Sequence, residues 1–223
     1  MKIISFSLWG SENKYCIGAI KNAQLAKILY PGWLCRYYCA DSVPQEIITK
    51  LNNNKNVQII RIEGDGDWSH AANRFKSFED KEATHIITRD TDSRLSIREV
   101  SAVNEWIESG TKAHIMRDHP FHFTPVLAGM FGIIGGVIKN TKPMLKKPLN
   151  YYHYDQDLLV KHVMPLIDDS CTIHDEFFAK KKFPTERNDF EFVGESFDEF
   201  DIPDAKNHRA IVLVSNKYNL SGV

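Results

Sequence analysis

The sequence predicts an α/β fold in which a mostly parallel central sheet is flanked by helices. Short apolar runs of strand length alternate with segments whose apolar residues recur at helical spacing. No repeat, low-complexity segment or linker interrupts this alternation, so we expect a single domain over residues 1–223. A chain of 223 residues is also long enough to bury a substantial core.

The first half of the chain contains four predicted strands separated by three predicted helices. Each strand is a run of apolar, often β-branched or aromatic residues: 2–8, 33–40, 57–62 and 84–90. Apolar residues at helical spacing predict the three helices, 12–30, 44–53 and 68–80. Pro31-Gly32 ends the first helix, Pro44 begins the second, and the loop EGDGD precedes the third.

The second half starts with a helix over 96–110. Ser96 and Glu99 form an S-x-x-E capping box, and Gly110 ends the helix. A strand over 112–118, a loop over 119–136, a helix over 155–167 and a strand over 171–177 follow. Since open parallel sheets bind ligands at the carboxyl ends of their strands, we expect the site at that edge.

Composition limits the classes of partner. The chain has 43% hydrophobic residues, 26% charged residues and a net charge of −1. It therefore has no net positive charge that would attract nucleic acid or an anionic membrane. We expect no membrane span, because no run approaches ~18 apolar residues, and no signal peptide. Four cysteines without C-x-x-C spacing indicate reduced thiols in a cytoplasmic protein, in the host cytoplasm if the chain is viral: Cys16, Cys35, Cys39 and Cys171.

The segment THIITRDTDSR carries the strongest chemical signal. Asp90 and Asp92 lie at the end of a strand, where residues i and i+2 project to the same side. Two converging carboxylates suit a hard divalent cation, Mn²⁺ or Mg²⁺. Arg89 and Arg94 flank them and Arg74 precedes them, and guanidinium groups match phosphate oxygens. An isolated D-x-D is otherwise typical of a solvated turn.

A longer stretch, RDTDSRLSIREVSAVNEWIESGTKAHIMRDHPFHFTPVLAGMFGI, resembles small nucleotide-sugar glycosyltransferase domains of the GT-A fold. These domains occur in surface-glycan genes of bacteria and large DNA viruses. NRFKSFED upstream and FPTERNDFEFVGESFDEFD downstream are similar to the same group, so the resemblance covers roughly residues 3 to 200. It implies metal-dependent transfer of a sugar from a nucleoside diphosphate sugar, expected to be a UDP-sugar, to a hydroxyl of a glycan acceptor.

The resemblance also implies roles for individual residues. Asp90 and Asp92 would bind the metal, with His174 as third ligand and His208 as the second choice. Asp155, in YDQDLLV, would orient or deprotonate the acceptor hydroxyl, unless it is only a helix N-cap, and Asp118 is the alternative base. The remaining expected contacts are to the donor: Phe6, Ser7 and Leu8 through their backbone, Tyr15 stacking on the base, Arg74, Arg89, Gly129 and Gln156.

Other interpretations stay open at this stage. Asp118, His119 and His122 in RDHPFH are possible zinc ligands, although no cysteine lies near them in sequence. The same carboxylates could serve a Mg²⁺-dependent phosphohydrolase or nucleotidyltransferase, or the chain could bind nucleotide sugars without turnover. Trp33 and Trp68 are expected to be core or loop anchors. Sugar identity, inversion or retention, and oligomeric state are not encoded in these patterns.

Overall fold

A mixed sheet of seven strands forms the centre of the part of the chain that the structure describes. The structure is a computed structural model that describes residues 1–146, 148–167, 169–178 and 180–220. The strands are β1 (Lys2–Leu8), β2 (Trp33–Ala40), β3 (Val57–Ile62), β4 (His85–Thr88), β5 (Ala113–Arg117), β6 (Phe131–Ile134) and β7 (Cys171–Asp175).

The strand order is β3-β2-β1-β4-β6-β5-β7. All neighbouring pairs are parallel except those of β6, which runs antiparallel to both β4 and β5. The prediction of a loop over 119–136 is therefore wrong at 131–134. The four residues FGII lie between glycines and are too short a signal on their own; their strand forms because two distant strands supply its hydrogen-bond partners.

Seven α-helices cover the sheet within the described residues: α1 (Asn13–Leu29), α2 (Gln45–Asn52), α3 (Ile97–Ser109), α4 (Lys142–Leu145), α5 (Tyr154–His162), α6 (Met164–Ile167) and α7 (Ala205–Leu220). The predicted ends of α3 are confirmed: the N-cap Ser96 accepts a hydrogen bond from the Glu99 amide at 3.2 Å, and Gly110 has φ +68°. The Glu99 side chain does not complete a capping box, because it pairs with Arg89 and Tyr30 instead. None of the described helices is long and apolar enough to cross a bilayer.

Two helical predictions need correction, and two helices were not predicted. Residues Trp68–Glu79 form a 3₁₀ helix rather than an α-helix. The single helix expected over 155–167 is split into α5 and α6, and Pro165 occupies the second position of α6, where its missing N–H costs nothing. The short helix α4 and the C-terminal helix α7 were not predicted.

Two hydrophobic clusters pack on opposite sides of β1. Ile4, Phe6 and Leu8 join the cluster that contains α1 and α2. Ile3 joins the cluster that contains the 3₁₀ helix and α5. This alternation puts Ser5 and Ser7 on the 3₁₀-helix side of β1, which matters for the site described next.

Candidate functional site at the carboxyl edge of the sheet

The candidate site lies between β1 and β4, where the strand order of the sheet reverses: β2 and β3 follow on one side of β1, and β4 lies on the other. β1 pairs with β2 along Lys2–Leu8, but with β4 only from Lys2 to Ser5. Beyond Ser5 this pairing with β4 ends, so β1 and β4 meet at a topological switch point at the carboxyl edge. Such a switch point is where open α/β sheets bind ligands. The D-x-D loop follows β4 and the start of α1 follows β1, so both lie at this switch point.

Helix α1 holds the D-x-D loop through Asn22, which is fully buried. Its amide donates to the carbonyls of Thr91 and Ser93 at 3.2 and 2.8 Å and accepts from the Leu95 amide at 3.2 Å. Gly18 lets the helix approach, since a Cβ there would lie 2.1 Å from the Thr91 carbonyl oxygen. The sequence reasoning missed Asn22; a polar residue inside the apolar stripe of α1 was the available signal.

Each carboxylate of the D-x-D motif has a cationic partner in the protein. Asp90 Oδ1 lies 2.6 Å from the Arg74 guanidinium, and Asp92 Oδ2 lies 2.9 Å from Lys14 Nζ. Burial and the neighbouring charge of Asp90 raise the pKa of Asp92. Burial alone would lower the pKa of Lys14, but its hydrogen bond and charge interaction with Asp92 outweigh burial and raise it. Lys14 was not among the predicted site residues.

Arg74 links the D-x-D motif to α5. It is 4% exposed and ion-pairs with both Asp90 and Asp155. Ser5 donates to its carbonyl at 2.7 Å, and its amide donates to Ser7 Oγ at 3.0 Å, so β1 fixes the backbone of this arginine. Burial opposes the charged form, yet the two carboxylates raise the pKa of Arg74. Its guanidinium is therefore a fixed cation between two carboxylates.

Gly129 and Tyr15 border the same two aspartates. A Cβ on Gly129 would lie 1.8 Å from Asp90 Oδ2, so the short 3₁₀ turn Ala128–Met130 packs directly on this carboxylate. Tyr15 is half-buried in the first turn of α1, and burial together with the charge of Asp92 raises the pKa of its phenol. The structure thus brings both predicted residues to the D-x-D motif.

Asp155 and Gln156 lie in the first turn of α5. The residue before this helix is His153, at φ +72°, so Asp155 is not the N-cap. Its Oδ1 accepts the Gln156 amide at 2.9 Å, while its Oδ2 contacts Arg74. The Gln156 side-chain nitrogen contacts the His153 ring, and its Oε1 is buried without a hydrogen-bond partner among the described residues.

The three predicted residues at the end of β1 make different contacts. Phe6 stacks on Tyr37 at 4.6 Å in the core, and Leu8 is also buried there. Ser7 Oγ donates to the Ala71 carbonyl at 3.0 Å and serves the 3₁₀ helix. All three residues are buried, and their backbone contact with the donor stays a prediction.

Arg89 does not face the site, which corrects its predicted contact with the donor. It is 1% exposed, and its Nε lies 2.8 Å from Glu99 Oε1, which also accepts from the Tyr30 hydroxyl at 2.8 Å. As the neighbour of Asp90, it projects to the opposite side. Arg94 likewise contacts Asp201 at 2.8 Å and holds the C-terminal segment.

Asp118 is not available as a base, which corrects a second prediction. It is fully buried and accepts from Arg98 at 2.8 and 2.9 Å, from Arg187 at 2.7 Å and from the Val193 amide at 2.9 Å. The His122 ring accepts from the Asp118 amide, and burial lowers the pKa of His122 to about 3. These contacts bind the end of β5 to the segment after β7.

His174 lies too far from the D-x-D motif to complete a metal site with it. It is on β7, three strands from β4, or roughly 14 Å at the usual strand spacing. Its Nδ1 lies 2.8 Å from His114 Nε2 and its Nε2 lies 3.2 Å from Glu105, and burial lowers its pKa to about 4. The second choice, His208, pairs with Glu195. Among the described residues, no three His, Cys, Asp or Glu side chains are grouped to hold a metal, zinc included.

Comparison of the sequence with protein-family models finds no match, and no curated protein sequence matches either. Solved structures do resemble the chain. S. aureus TarS 1-349 superposes with a TM-score of 0.53 at 12% identity, over 82% of this chain and 59% of that one. The galactosyltransferase LgtC, in complex with donor and acceptor sugar analogs, gives a TM-score of 0.49 at 14% identity, over 78% and 73%.

A third similar structure, 4-diphosphocytidyl-2C-methyl-D-erythritol synthase from Anaerococcus prevotii, gives a TM-score of 0.46 at 11% identity, over 83% of this chain and 92% of that one. At these identities the likeness concerns the fold alone. Of these three, only the TarS superposition has a TM-score above 0.5, and it supports a shared α/β fold with a mostly parallel sheet. The chain therefore has the α/β GT-A fold that the sequence predicts.

Proposed function

We propose that the protein is a metal-dependent glycosyltransferase that moves a sugar from a nucleoside diphosphate sugar, expected to be a UDP-sugar, to a hydroxyl of a glycan acceptor. The observation that carries this proposal is that Asp90 and Asp92 lie close together at the switch point between β1 and β4. Arg74, Lys14 and Gly129 surround them there.

The donor set fits Mn²⁺ or Mg²⁺. Both ligands would be carboxylate oxygens, which hard divalent cations prefer. Arg74 and Lys14 each engage one oxygen of a carboxylate, and the other oxygen of Asp90 and of Asp92 would coordinate the ion. Two protein ligands leave positions for diphosphate and water oxygens. The charge of Asp90 disfavours the ionised form of Asp92, and a bound cation would remove this penalty. When bound, the metal would neutralise charge on the leaving diphosphate.

On the donor side, the protein's own residues would bind and orient. Tyr15 would stack on the base, since its half-buried ring lies beside Asp92. Gly129 would keep the Asp90 carboxylate in place beside the donor, because a Cβ at this position would displace it. Lys14 and Arg74 would add fixed positive charge beside the diphosphate.

On the acceptor side, we assign Asp155 an orienting role. Both of its oxygens are engaged, one by Arg74 and one by the Gln156 amide, which argues against proton abstraction. The unpartnered Oε1 of Gln156 would accept a hydrogen bond from a sugar hydroxyl. Asp118 has no part in this scheme.

Thermal denaturation with UDP-, GDP-, dTDP- and CMP-sugars, each with and without Mn²⁺, tests the proposal. A ligand that binds only the folded state stabilises it by about 2.7 kcal/mol at one hundred times its Kd. We expect the melting temperature to rise with one nucleotide class, in the presence of metal only. Asp92→Ala should abolish the rise, whereas Asp169→Ala, at an aspartate that is 82% exposed, should keep it.

Turnover separates this activity from its rivals. The parent chain should release UDP from its donor in a metal-dependent reaction that an acceptor accelerates. Pyrophosphate release from a nucleoside triphosphate and a sugar 1-phosphate would instead identify a nucleotidyltransferase. Donor binding without any release, even at high protein concentration, would identify a binding module, and unchanged donor binding by Asp92→Ala would refute the metal assignment.

A further inference from the structure

Three aromatic side chains form a contiguous cluster beside the site, and the proposed mechanism uses none of them. The rings of Trp9 and Trp68 lie 6.1 Å apart and those of Trp68 and Tyr152 lie 5.0 Å apart, both edge to face. Trp68 is 44% exposed and Tyr152 is 62% exposed. We call Trp9, Trp68 and Tyr152 the aromatic platform. Large aromatic side chains that stay this exposed together are typical of binding surfaces.

Separate chain segments build the platform. Trp9 follows β1 by one residue, Trp68 begins the 3₁₀ helix, and Tyr152 precedes α5. Gly66, at φ +82°, packs on Trp9, since a Cβ there would lie 2.5 Å from Trp9 Cβ. The Trp68 amide donates to Asn150 Oδ1 at 3.2 Å and so ties the 3₁₀ helix to the loop before α5. These contacts hold the platform in place: Trp68 anchors the loop before α5, as the sequence predicts, while 44% of it stays exposed.

The platform adjoins the acceptor side of the site. Tyr152 is separated from Asp155 by only two residues. Burial and the negative charges of the Asp90, Asp92 and Asp155 carboxylates raise the pKa of its phenol. The same 3₁₀ helix carries Trp68 at its start and Arg74 within it. Tyr15, the expected contact of the base, lies in α1 and packs against the hydrophobic cluster that contains α1 and α2.

We propose that the aromatic platform is a stacking subsite for a neutral sugar residue of the acceptor glycan. This inference rests on the proposed function and specifies its acceptor class. The C–H groups on one face of a pyranose are attracted to the negative face of an aromatic ring, as cations are. A sugar stacked next to Asp155 and Gln156 would present a hydroxyl toward the D-x-D motif.

The charge of the adjoining loop favours a neutral glycan over an anionic one. Glu63, Asp65 and Asp67 flank Gly66, which packs on Trp9. Their carboxylates can accept hydrogen bonds from sugar hydroxyls. The same carboxylates would repel a phosphorylated or sialylated acceptor. A nucleobase could also stack on such rings, and the experiment below distinguishes that case.

The test is binding of the parent chain and its variants to an array of lactose, N-acetyllactosamine, maltose and cellobiose, with sialylated lactose beside them. We expect the parent to bind at least one neutral glycan and to bind sialylated lactose at least fivefold more weakly. Trp68→Ala and Tyr152→Ala should each weaken neutral-glycan binding at least fivefold, while Trp68→Phe should retain most of it. Phe200→Ala is the matched control, because Phe200 is 75% exposed but lies in the C-terminal segment.

UDP-sugar binding with Mn²⁺, measured on the same variants, should stay within twofold of the parent. The inference is overturned if the parent binds no neutral glycan, if Trp68→Ala binds glycans as the parent does, or if Trp68→Ala loses nucleotide binding instead. Glycan binding needs no donor, so its outcome is independent of the metal and turnover tests. A chain that binds neutral glycans through Trp68 but turns over no donor would refute the glycosyltransferase and leave the subsite intact.

Discussion

Replacement of Gly129 by alanine should disrupt the D-x-D motif by steric contact alone. The new Cβ would lie 1.8 Å from Asp90 Oδ2, whereas real Cβ atoms keep at least 3.0 Å from such a neighbour, so the carboxylate or the 3₁₀ turn must move by about 1 Å or more. This movement strains the 2.6 Å ion pair between Asp90 and Arg74. From the usual cost of overpacking, we expect the free energy of unfolding to fall by about 1–3 kcal/mol.

The assay combines urea denaturation with metal-dependent donor turnover. A misplacement of about 1 Å at a reacting centre costs on the order of 100-fold in rate, so turnover by Gly129→Ala should fall by about that factor under conditions where it is fully folded. Since φ at Gly129 lies outside the left-handed region, backbone strain does not contribute to the effect.

A double-mutant cycle supplies the control. In an Asp90→Ala background the contact no longer exists, so Gly129→Ala should change the free energy of unfolding by less than about 0.5 kcal/mol. If Gly129→Ala costs the same in both backgrounds, or if it leaves stability and turnover at parent values, the steric reasoning is wrong.

Three further changes test the remaining parts of the structure. Asp118→Asn removes the buried carboxylate that Arg98 and Arg187 share, although Arg98 keeps Glu176, and it should cost about 3–5 kcal/mol in urea denaturation, while the folded fraction keeps its turnover; a selective loss of turnover would restore Asp118 as a base. Asn22→Ala should lower stability by about 1–3 kcal/mol and weaken Mn²⁺-dependent donor binding, because two carbonyls of the D-x-D loop lose their donor; unchanged donor affinity would contradict this role. Burial lowers the pKa of His174 from 6.5 to about 4, so the unfolded state binds more protons between these values, and stability should decrease as the pH is lowered through this window, by up to roughly 1.4 kcal/mol per pH unit. His174→Gln should flatten that slope in denaturation curves at pH 7 and pH 5, and an unaltered slope would refute it.

Much of the site's location was readable from local sequence patterns. Asp90 and Asp92 follow β4, which runs parallel to β1, so their place at the carboxyl edge follows from the alternation of strands and helices in the first half of the chain. The inward direction of Arg89 was also readable, since it alternates with Asp90 and a glutamate, Glu99, opens the next helix. The choice of Arg89 as a phosphate ligand rested on sequence proximity, which is a poor guide when successive side chains point to opposite faces.

The sequence by itself determined the α/β class, most of the strands, the capped helix α3 and the position of the D-x-D motif, because each depends on residues that are close along the chain. Only the tertiary structure decided that Arg74 bridges Asp90 and Asp155, that Asp118 and His174 are buried away from the site, and that β6 completes the sheet. These features depend on contacts between residues tens of positions apart. Local periodicity says which side chains are buried but not which distant partner meets them, and for charged side chains that partner decides whether they are structural or exposed to a ligand.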